Sequence, residues 1–337
     1  MIPEVQNRPA LSNLDLVTGR SAVIAAPQSI EITEVTLRPP ADDEICIKLD
    51  GCGLCSSNLP VWEGREWFQY PIQAGGPGHE GWGTVHAVGA NVMDFQVGDH
   101  VAVLSYNAFG EYDYAPASHA IKLPEKLKGL PFPGEPLGCA MNIFNRSDIR
   151  AGQTVAILGI GFLGALLVQL AKEAGARVIA VSRRTSSLGL ARQFGADEAI
   201  AMDDHYRIIN AVSDLTNGEF CDRVIECTGK EWPLNLAGEL TRIRGKLVIA
   251  GFHQDGMRQV NVQLWNWRGL DVINAHERDA EMYIEGIRKA VLAVESGILD
   301  PTPLYTHTFS LEQINEAFRT HQEAPEGFVK ALILNTK

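Results

Sequence analysis

The chain has 337 residues, 45% of them hydrophobic and 21% charged, an ordinary globular balance with room for about two domains, each with its own core. The formal net charge of −12 repels phosphate backbones, so no nucleic-acid partner is expected. No apolar run reaches the roughly 18 residues that span a bilayer, so no membrane association is expected either.

Met1 to Ala10 carry Pro, Glu and Asn where a secretory signal needs a basic start and an apolar stretch, so a cytoplasmic location is expected. In that compartment the six cysteines read as core thiols or metal ligands rather than a disulfide framework. Cys46 and Cys221 look like small apolar residues within or beside strands. The Cys52–Cys55 pair lacks a second CxxC, so a closed four-cysteine zinc site is not indicated.

Residues 21 to 120 are rich in short alternating segments broken by Gly and Pro. Glu44–Leu49, Thr84–Val88 and Val101–Leu104 read as strands, with a turn at Val97-Gly98-Asp99, so this part is expected to be mostly β. The texture changes near residue 140. Thr154–Leu158 is continuously apolar, as a strand covered on both faces must be, and is followed by a Gly-rich turn and a helical run from Gly164 to Ala174. The alternation repeats through strand Arg177–Val181, helix Leu188–Phe194, strand Arg223–Glu226, a helix near Pro233–Leu240 and strand Lys246–Ala250. Such units predict a doubly wound parallel sheet. Residues 280 to 296 carry a helical period. From Leu304 to Ile333 the pattern is strand, helix (Leu311 to Thr320) and strand, and this tail is expected to complete the first domain. The expected division is residues 1–138 with 300–337, and 139–299.

The turn after the first parallel strand is Gly159-Ile160-Gly161-Phe162-Leu163-Gly164. Placed between a buried strand and an Ala/Leu helix, this GxGxxG predicts a dinucleotide site. Gly159 allows the tight turn, Gly161 the approach of the pyrophosphate, and Gly164 the packing of helix on strand. The second strand ends in Ser182-Arg183-Arg184, without the Asp or Glu that accepts NAD ribose hydroxyls. A carboxylate there would repel a 2′-phosphate and an Arg can bind it, so NADP(H) is favoured over NAD(H). The loops Cys227-Thr228-Gly229 and Ala250-Gly251-Phe252 follow strands at the same sheet edge and are expected to flank the nicotinamide.

Three passages carry candidate metal ligands: Gly53-Leu54-Cys55-Ser56-Ser57-Asn58, Gly78-His79-Glu80-Gly81 and Gly134-Glu135-Pro136-Leu137. With the stretch GHEGWGTVHAVGANVMDFQVGDHV from Gly78 to Val101, the Gly-rich turn and the ending Phe309 to Ile333, the chain resembles the zinc-dependent alcohol and polyol dehydrogenases of the medium-chain dehydrogenase/reductase superfamily over nearly its whole length. The resemblance implies a Rossmann domain beside a discontinuous, mostly β GroES-like catalytic domain. It also implies a catalytic zinc among Cys55, His79, Glu80 and Glu135. Glu135 stands 24 residues before Gly159, the spacing of the polyol-type ligand. Cys55, His79 and Glu135 are the expected ligands, with Glu80 a fourth, exchangeable ligand or a partner of the others, and Cys139 the rival for the place of Glu135. A catalytic zinc keeps about three protein ligands and one open position, and thiolate, imidazole and carboxylate all suit it.

Two departures stand out. The family's proton relay pairs a Ser or Thr, two residues after the Cys ligand, with a His three residues further on. Ser57 matches the first, but Pro60 stands where that His often lies. The lobe that holds a second, structural zinc is missing, since only Ser105 to Gly110 separates Val101–Leu104 from Glu111, so one zinc per subunit is expected. Trp62, Trp67, Phe68, Tyr70, Asn58 and Tyr106 are expected to wall the pocket, with Trp265, Trp267 and Arg268 as remoter candidates.

The expected function is hydride transfer between a nicotinamide cofactor and a secondary alcohol or ketone, on a polyol, sugar or cyclitol, by a homodimer or homotetramer. Zinc serves as Lewis acid and Ser57 as first proton acceptor. The alternatives are a zinc-free enone or quinone reductase of the same superfamily and a non-catalytic nucleotide-binding protein.

Overall fold

The structure, a computed structural model, describes residues 17–335. The segment Met1 to Ala10, on which the expected location rests, lies outside them. Among the described residues no helix is long and apolar enough to cross a membrane.

Thr154–Leu158 is apolar throughout because both its faces are covered. Val155 and Ile157 enter one core and Ala156 and Leu158 the other, following the two-residue period of a strand. It lies inside a six-stranded sheet in the order Glu198–Ala201, Arg177–Ser182, Thr154–Leu158, Cys221–Glu226, Thr241–Ile249, Asp271–Asn274. Every pairing is parallel. The order reverses between Thr154–Leu158 and Cys221–Glu226, and a doubly wound sheet opens its ligand crevice beyond the carboxyl ends of the strands at such a point. The Gly-rich turn and the loops after Glu226 and Ile249 all leave from there.

Four elements of this unit escaped the sequence reading: strands Glu198–Ala201 and Asp271–Asn274, and helices His205–Leu215 and Val262–Arg268. Both strands have four residues and form the two edges of the sheet, where Glu198–Ala201 is only half-buried and Asp271–Asn274 is largely exposed, so neither needs a long apolar run. The helix His205–Leu215 buries only Ile208 and Val212, and its start is fixed by Asp204, which accepts from the Arg207 N–H at 2.7 Å.

The second sheet runs His307–Ser310, Ala331–Leu334, Glu44–Gly53, Gly81–Val88, His100–Val103, Ala120–Lys122, with Tyr112–Pro116 also paired to Glu44–Gly53. Its first two strands come from the chain's tail, and Leu332 stands opposite Gly53. That return brings the segment 321–330 beside Cys55 and Glu80. A helix, Gly134–Ser147, to which the sequence reading assigned no element, carries Glu135 in its first turn and packs against Ala280–Ser296. The division expected at 138/139 falls inside this helix.

Candidate active site

Strand Glu44–Gly53 delivers Cys55 just past its end, and the segment before strand Gly81–Val88 delivers His79 and Glu80. The ligand atoms of these three residues lie within 4.8 Å of one another. Asn58, expected on the pocket wall, is instead a buried brace. Its Oδ1 accepts from the Cys55 N–H at 2.9 Å, and its Nδ2 donates to the Pro77 carbonyl at 3.0 Å. The same carbonyl is 2.9 Å from His79 Nδ1. That contact assigns the proton to Nδ1 and leaves the Nε2 lone pair for a metal.

Burial works against a charged His79. Hydrogen bonding and charge from Cys55, with the charges of Glu135 and Glu80, outweigh it and raise the imidazole to about 10. Surroundings so anionic suit a divalent cation, and the S, N and O donors present fit zinc.

Glu80 is fully buried and bound by Lys330, whose Nζ stands 2.7 Å from Oε1 and 2.5 Å from Oε2. Burial opposes the charge on Lys330, but Glu80, Cys55 and Glu135 together hold its pKa above the usual lysine value. Lys330 escaped the sequence reading because a lone Lys before an apolar strand reads as a solvated charge. Glu135 lies outside the compact trio but lines the same cleft and acts on His79 by its charge. One turn on, Cys139 donates its thiol to Glu135 Oε1 at 3.2 Å. Burial raises both groups, and it pushes Cys139 well above the usual thiol range, which keeps it protonated. Cys139 thus serves as a hydrogen-bond donor to Glu135.

The cleft has a volume of about 1040 Å³. Ser57 lines it, half-buried, whereas Pro60 is buried. Of the expected wall only Tyr106 takes part, together with Tyr283, Asn142, Glu277 and Arg278 from the other lobe. The remaining expectations are corrected. Trp62 is core, stacked on Phe318 at 5.6 Å. Trp67 and Trp267 are solvent-exposed away from the cleft. Phe68 packs on the β core beside Tyr70, whose hydroxyl donates to the Val61 carbonyl. Trp265 packs with the core of the parallel sheet, and Arg268 donates to the carbonyls of Glu239 and Thr241 at the end of a helix. Tryptophans near an apolar segment more often fill a core, and only burial separates the two cases.

The dinucleotide turn has the shape its sequence implies. Gly159 has φ +92°, which a side chain rarely adopts. A Cβ at Gly164 would meet the Gly159 oxygen at 2.0 Å, while one at Gly161 would meet nothing within 4 Å. That gap lies at the start of helix Phe162–Glu173, where a diphosphate is favoured by unpaired N–H groups and the helix dipole. Phe162, Leu163, Arg183, Arg184, Cys227, Thr228 and Gly251 line the same cleft, and Ser182 is buried at its strand end. Arg184 donates to the Phe328 carbonyl at 2.6 Å, so its guanidinium is partly committed to joining the lobes, whereas Arg183 is exposed. Glu226 was read only as a strand end. Fully buried, it accepts from the N–H groups of Thr228 and Gly229, the Thr228 hydroxyl and His253 Nε2. The His253 proton is placed by Arg258, which donates to Nδ1 at 3.1 Å. One carboxylate therefore fixes the loop at Cys227-Thr228-Gly229 and anchors the segment after Gly251.

Residues 41–125 match the model of the alcohol dehydrogenase GroES-like domain, and residues 163–290 that of the zinc-binding dehydrogenases. The chain is 26% identical to an S-(hydroxymethyl)glutathione dehydrogenase of Escherichia coli, over 89% of this chain and 95% of that protein. Among solved structures it is similar to a zinc-binding dehydrogenase from Sinorhizobium meliloti 1021 bound to NADP, with TM-score 0.82, 24% identity, and 94% and 99% of the two chains covered. It is also similar to an alcohol dehydrogenase from E. coli CFT073 complexed with NADH, with TM-score 0.82, 23% identity and the same coverage.

Proposed function

The chain belongs to the zinc-dependent alcohol dehydrogenases of the medium-chain dehydrogenase/reductase superfamily, and from that premise we propose that it interconverts a secondary alcohol and ketone on a polyol, sugar or cyclitol, with NADP(H) preferred. The observation that carries the reading is the Cys55–His79–Glu80 cluster, with His79 Nδ1 held by the Pro77 carbonyl. Zinc bound there supplies Lewis acidity toward the substrate oxygen, and a nicotinamide on the glycine turn supplies or accepts the hydride. Cys55, His79 and Glu135 would hold the metal beside Glu80, which keeps its bond to Lys330. Ser57 takes the hydroxyl proton. Tyr106, Tyr283 and Asn142 offer rings with polar tips and an amide, which suit a substrate bearing several hydroxyls.

A homo-oligomer is proposed through the edge strand Asp271–Asn274, which pairs on one side only and is flanked by exposed Val262, Trp267 and Val272. A cytoplasmic location is part of the same proposal.

The testing experiment combines metal analysis of the purified protein with turnover over a panel of polyols and ketones, using both cofactors. About one zinc per chain and turnover lost on chelation are expected; full activity in metal-free protein would favour the enone or quinone reductase.

Within the metal site, Glu135→Ala is expected to weaken zinc binding more than Cys139→Ala. Cys139 orients a ligand, and such supporting bonds contribute roughly 10–100-fold in affinity; losing the ligand itself should cost more. Competition against a chelator dye measures both, and the reverse order would make Cys139 the ligand.

For the cofactor, Arg183 carries the preference, since Arg184 is tied to Phe328 and the Glu326 carboxylate caps the adjoining helix through the Ser186 N–H at 2.7 Å. Arg183→Ala is expected to lower kcat/KM for NADPH about tenfold, one charge-assisted hydrogen bond discounted for exposure, and to spare NADH. Ser182→Asp with Arg183→Ala should reverse the preference. A wild-type enzyme that prefers NADH would show Arg183 to be a solvated charge.

A further inference from the structure

Strand Tyr112–Pro116 buries an acid that the reading above leaves unused. Asp113 is 3% exposed, and among the described residues no cation stands within ion-pair distance of it. Burial raises its carboxyl to about 6 against the pull of its hydrogen bonds, so at neutral pH it is mostly ionised. An apolar side chain would cost less at such a place, so the carboxylate answers a need other than packing.

Its partners are backbone groups. Oδ1 accepts from the Tyr114 N–H at 2.7 Å, and Oδ2 accepts from the Asn107 N–H at 3.1 Å. Tyr114 lies on the same strand. Asn107 lies on the loop Ser105–Gly110, and the carboxylate ties that loop to the sheet.

The loop in turn rests on the segment that ends in His79. The Phe109 N–H donates to the Gly75 carbonyl at 3.0 Å, and the Ala108 N–H donates to the Gly78 carbonyl at 2.9 Å. Nothing larger than glycine fits this contact. A Cβ on Gly75 would stand 2.0 Å from the Asn107 oxygen, and one on Gly78 would stand 2.5 Å from the Phe109 nitrogen. Pro77, held between those two glycines, carries the carbonyl that lies 2.9 Å from His79 Nδ1. An unbroken series of hydrogen bonds and backbone contacts therefore runs from Asp113 through Asn107 and Gly75–Gly78 to the imidazole.

We propose that Asp113 is a positioning residue for the metal site, holding the loop Ser105–Gly110 against Gly75–Gly78 so that the Pro77 carbonyl fixes the orientation of His79. The inference rests on the zinc reading above and extends it to a residue that touches neither metal nor ligand. Order in the loop and zinc at His79 are then coupled, and such coupling is reciprocal.

Competition for zinc against a chelator dye measures one direction. Asp113→Ala is expected to weaken zinc binding about tenfold, the low end of what supporting bonds contribute. Asp113→Asn, whose amide oxygen still accepts one N–H, should weaken it less. Asn315→Ala controls for lost hydrogen bonds in the same lobe. Its side chain bonds the Ile30 N–H at 3.0 Å and the Ile30 carbonyl at 2.7 Å, and its removal should leave zinc affinity unchanged. Hydrogen exchange on the unaltered protein measures the other direction, whatever the stability of the variants. Adding zinc to metal-free protein should slow the Ala108 and Phe109 amides severalfold and spare those of helix His205–Leu215. In Asp113→Asn that slowing should shrink. Unchanged zinc affinity in folded Asp113→Ala, equal weakening by Asn315→Ala, or zinc that slows neither loop amide overturns the role of Asp113 while the zinc reading stands. A wild-type chain that binds no zinc overturns both.

Discussion

Replacing His79 with alanine is expected to strip the zinc from the protein and to lower kcat/KM by roughly a thousandfold or more. The ring is one of about three protein donors that a catalytic zinc requires, and the metal's charge stabilisation contributes several kcal/mol at 1.36 kcal/mol per decade of rate. Away from Cys55 the ring is held by Nδ1, which lies 2.9 Å from the Pro77 carbonyl and 3.5 Å from Asn58 Nδ2, and Asn58 keeps its own bonds to Cys55 and Pro77 when the ring is lost. ADP-ribose binding at the glycine turn should survive, which separates loss of metal from unfolding. Cys55→Ser should behave alike. Turnover that persists in His79→Ala after chelation would remove zinc from the reaction.

The grouping of Cys55, His79 and Glu80 was legible because its chemistry is written in short segments. Cys55, His79 and Glu80 sit at strand ends whose alternation is strong, and the fold needs only those strands in register to gather them. Asn58, Lys330 and Glu226 carry no such mark. Each is an ordinary polar residue whose role comes from a partner distant in the chain: Asn58 and Pro77, Lys330 and Glu80, Glu226 and His253. A single sequence shows residue types but not which of them are desolvated together.

The same limit explains the aromatic residues. Trp62 looked like a pocket wall because it follows the Cys55 segment by seven positions, yet the short helix Leu59–Glu63 turns its ring inward onto Phe318. In the parallel sheet the fully buried strands were read correctly and the two edges were missed, since edge strands need no continuous apolar run. Glu135 was placed in the site but not on a helix. Its segment, Gly134-Glu135-Pro136, begins with a glycine and a proline that resemble a loop, although Pro is tolerated in the first turn of a helix.

Lys330→Met is expected to destabilise the metal-free protein by about 3–5 kcal/mol, the cost of removing one partner of a buried ion pair and leaving the other unpaired. Glu80 has no solvent access and Lys330 has 5%, so water cannot replace the lost ammonium. The lysine's pKa is raised in the folded chain, so its contribution is complete below the unfolded value of about 10 and fades only above it. The loss should therefore be constant from about pH 6 to 9. Lys330→Met with Glu80→Gln should recover much of it, because no buried charge then lacks a partner. Denaturant titration with excess chelator is the measurement, since zinc beside Glu80 would supply a substitute positive charge. A Lys330→Met protein as stable as the parent would mean that the carboxylate is satisfied without the lysine. The tail strand would then be held to the sheet by its backbone pairing with Gly51–Gly53 and its buried Ala331, Leu332 and Ile333 alone.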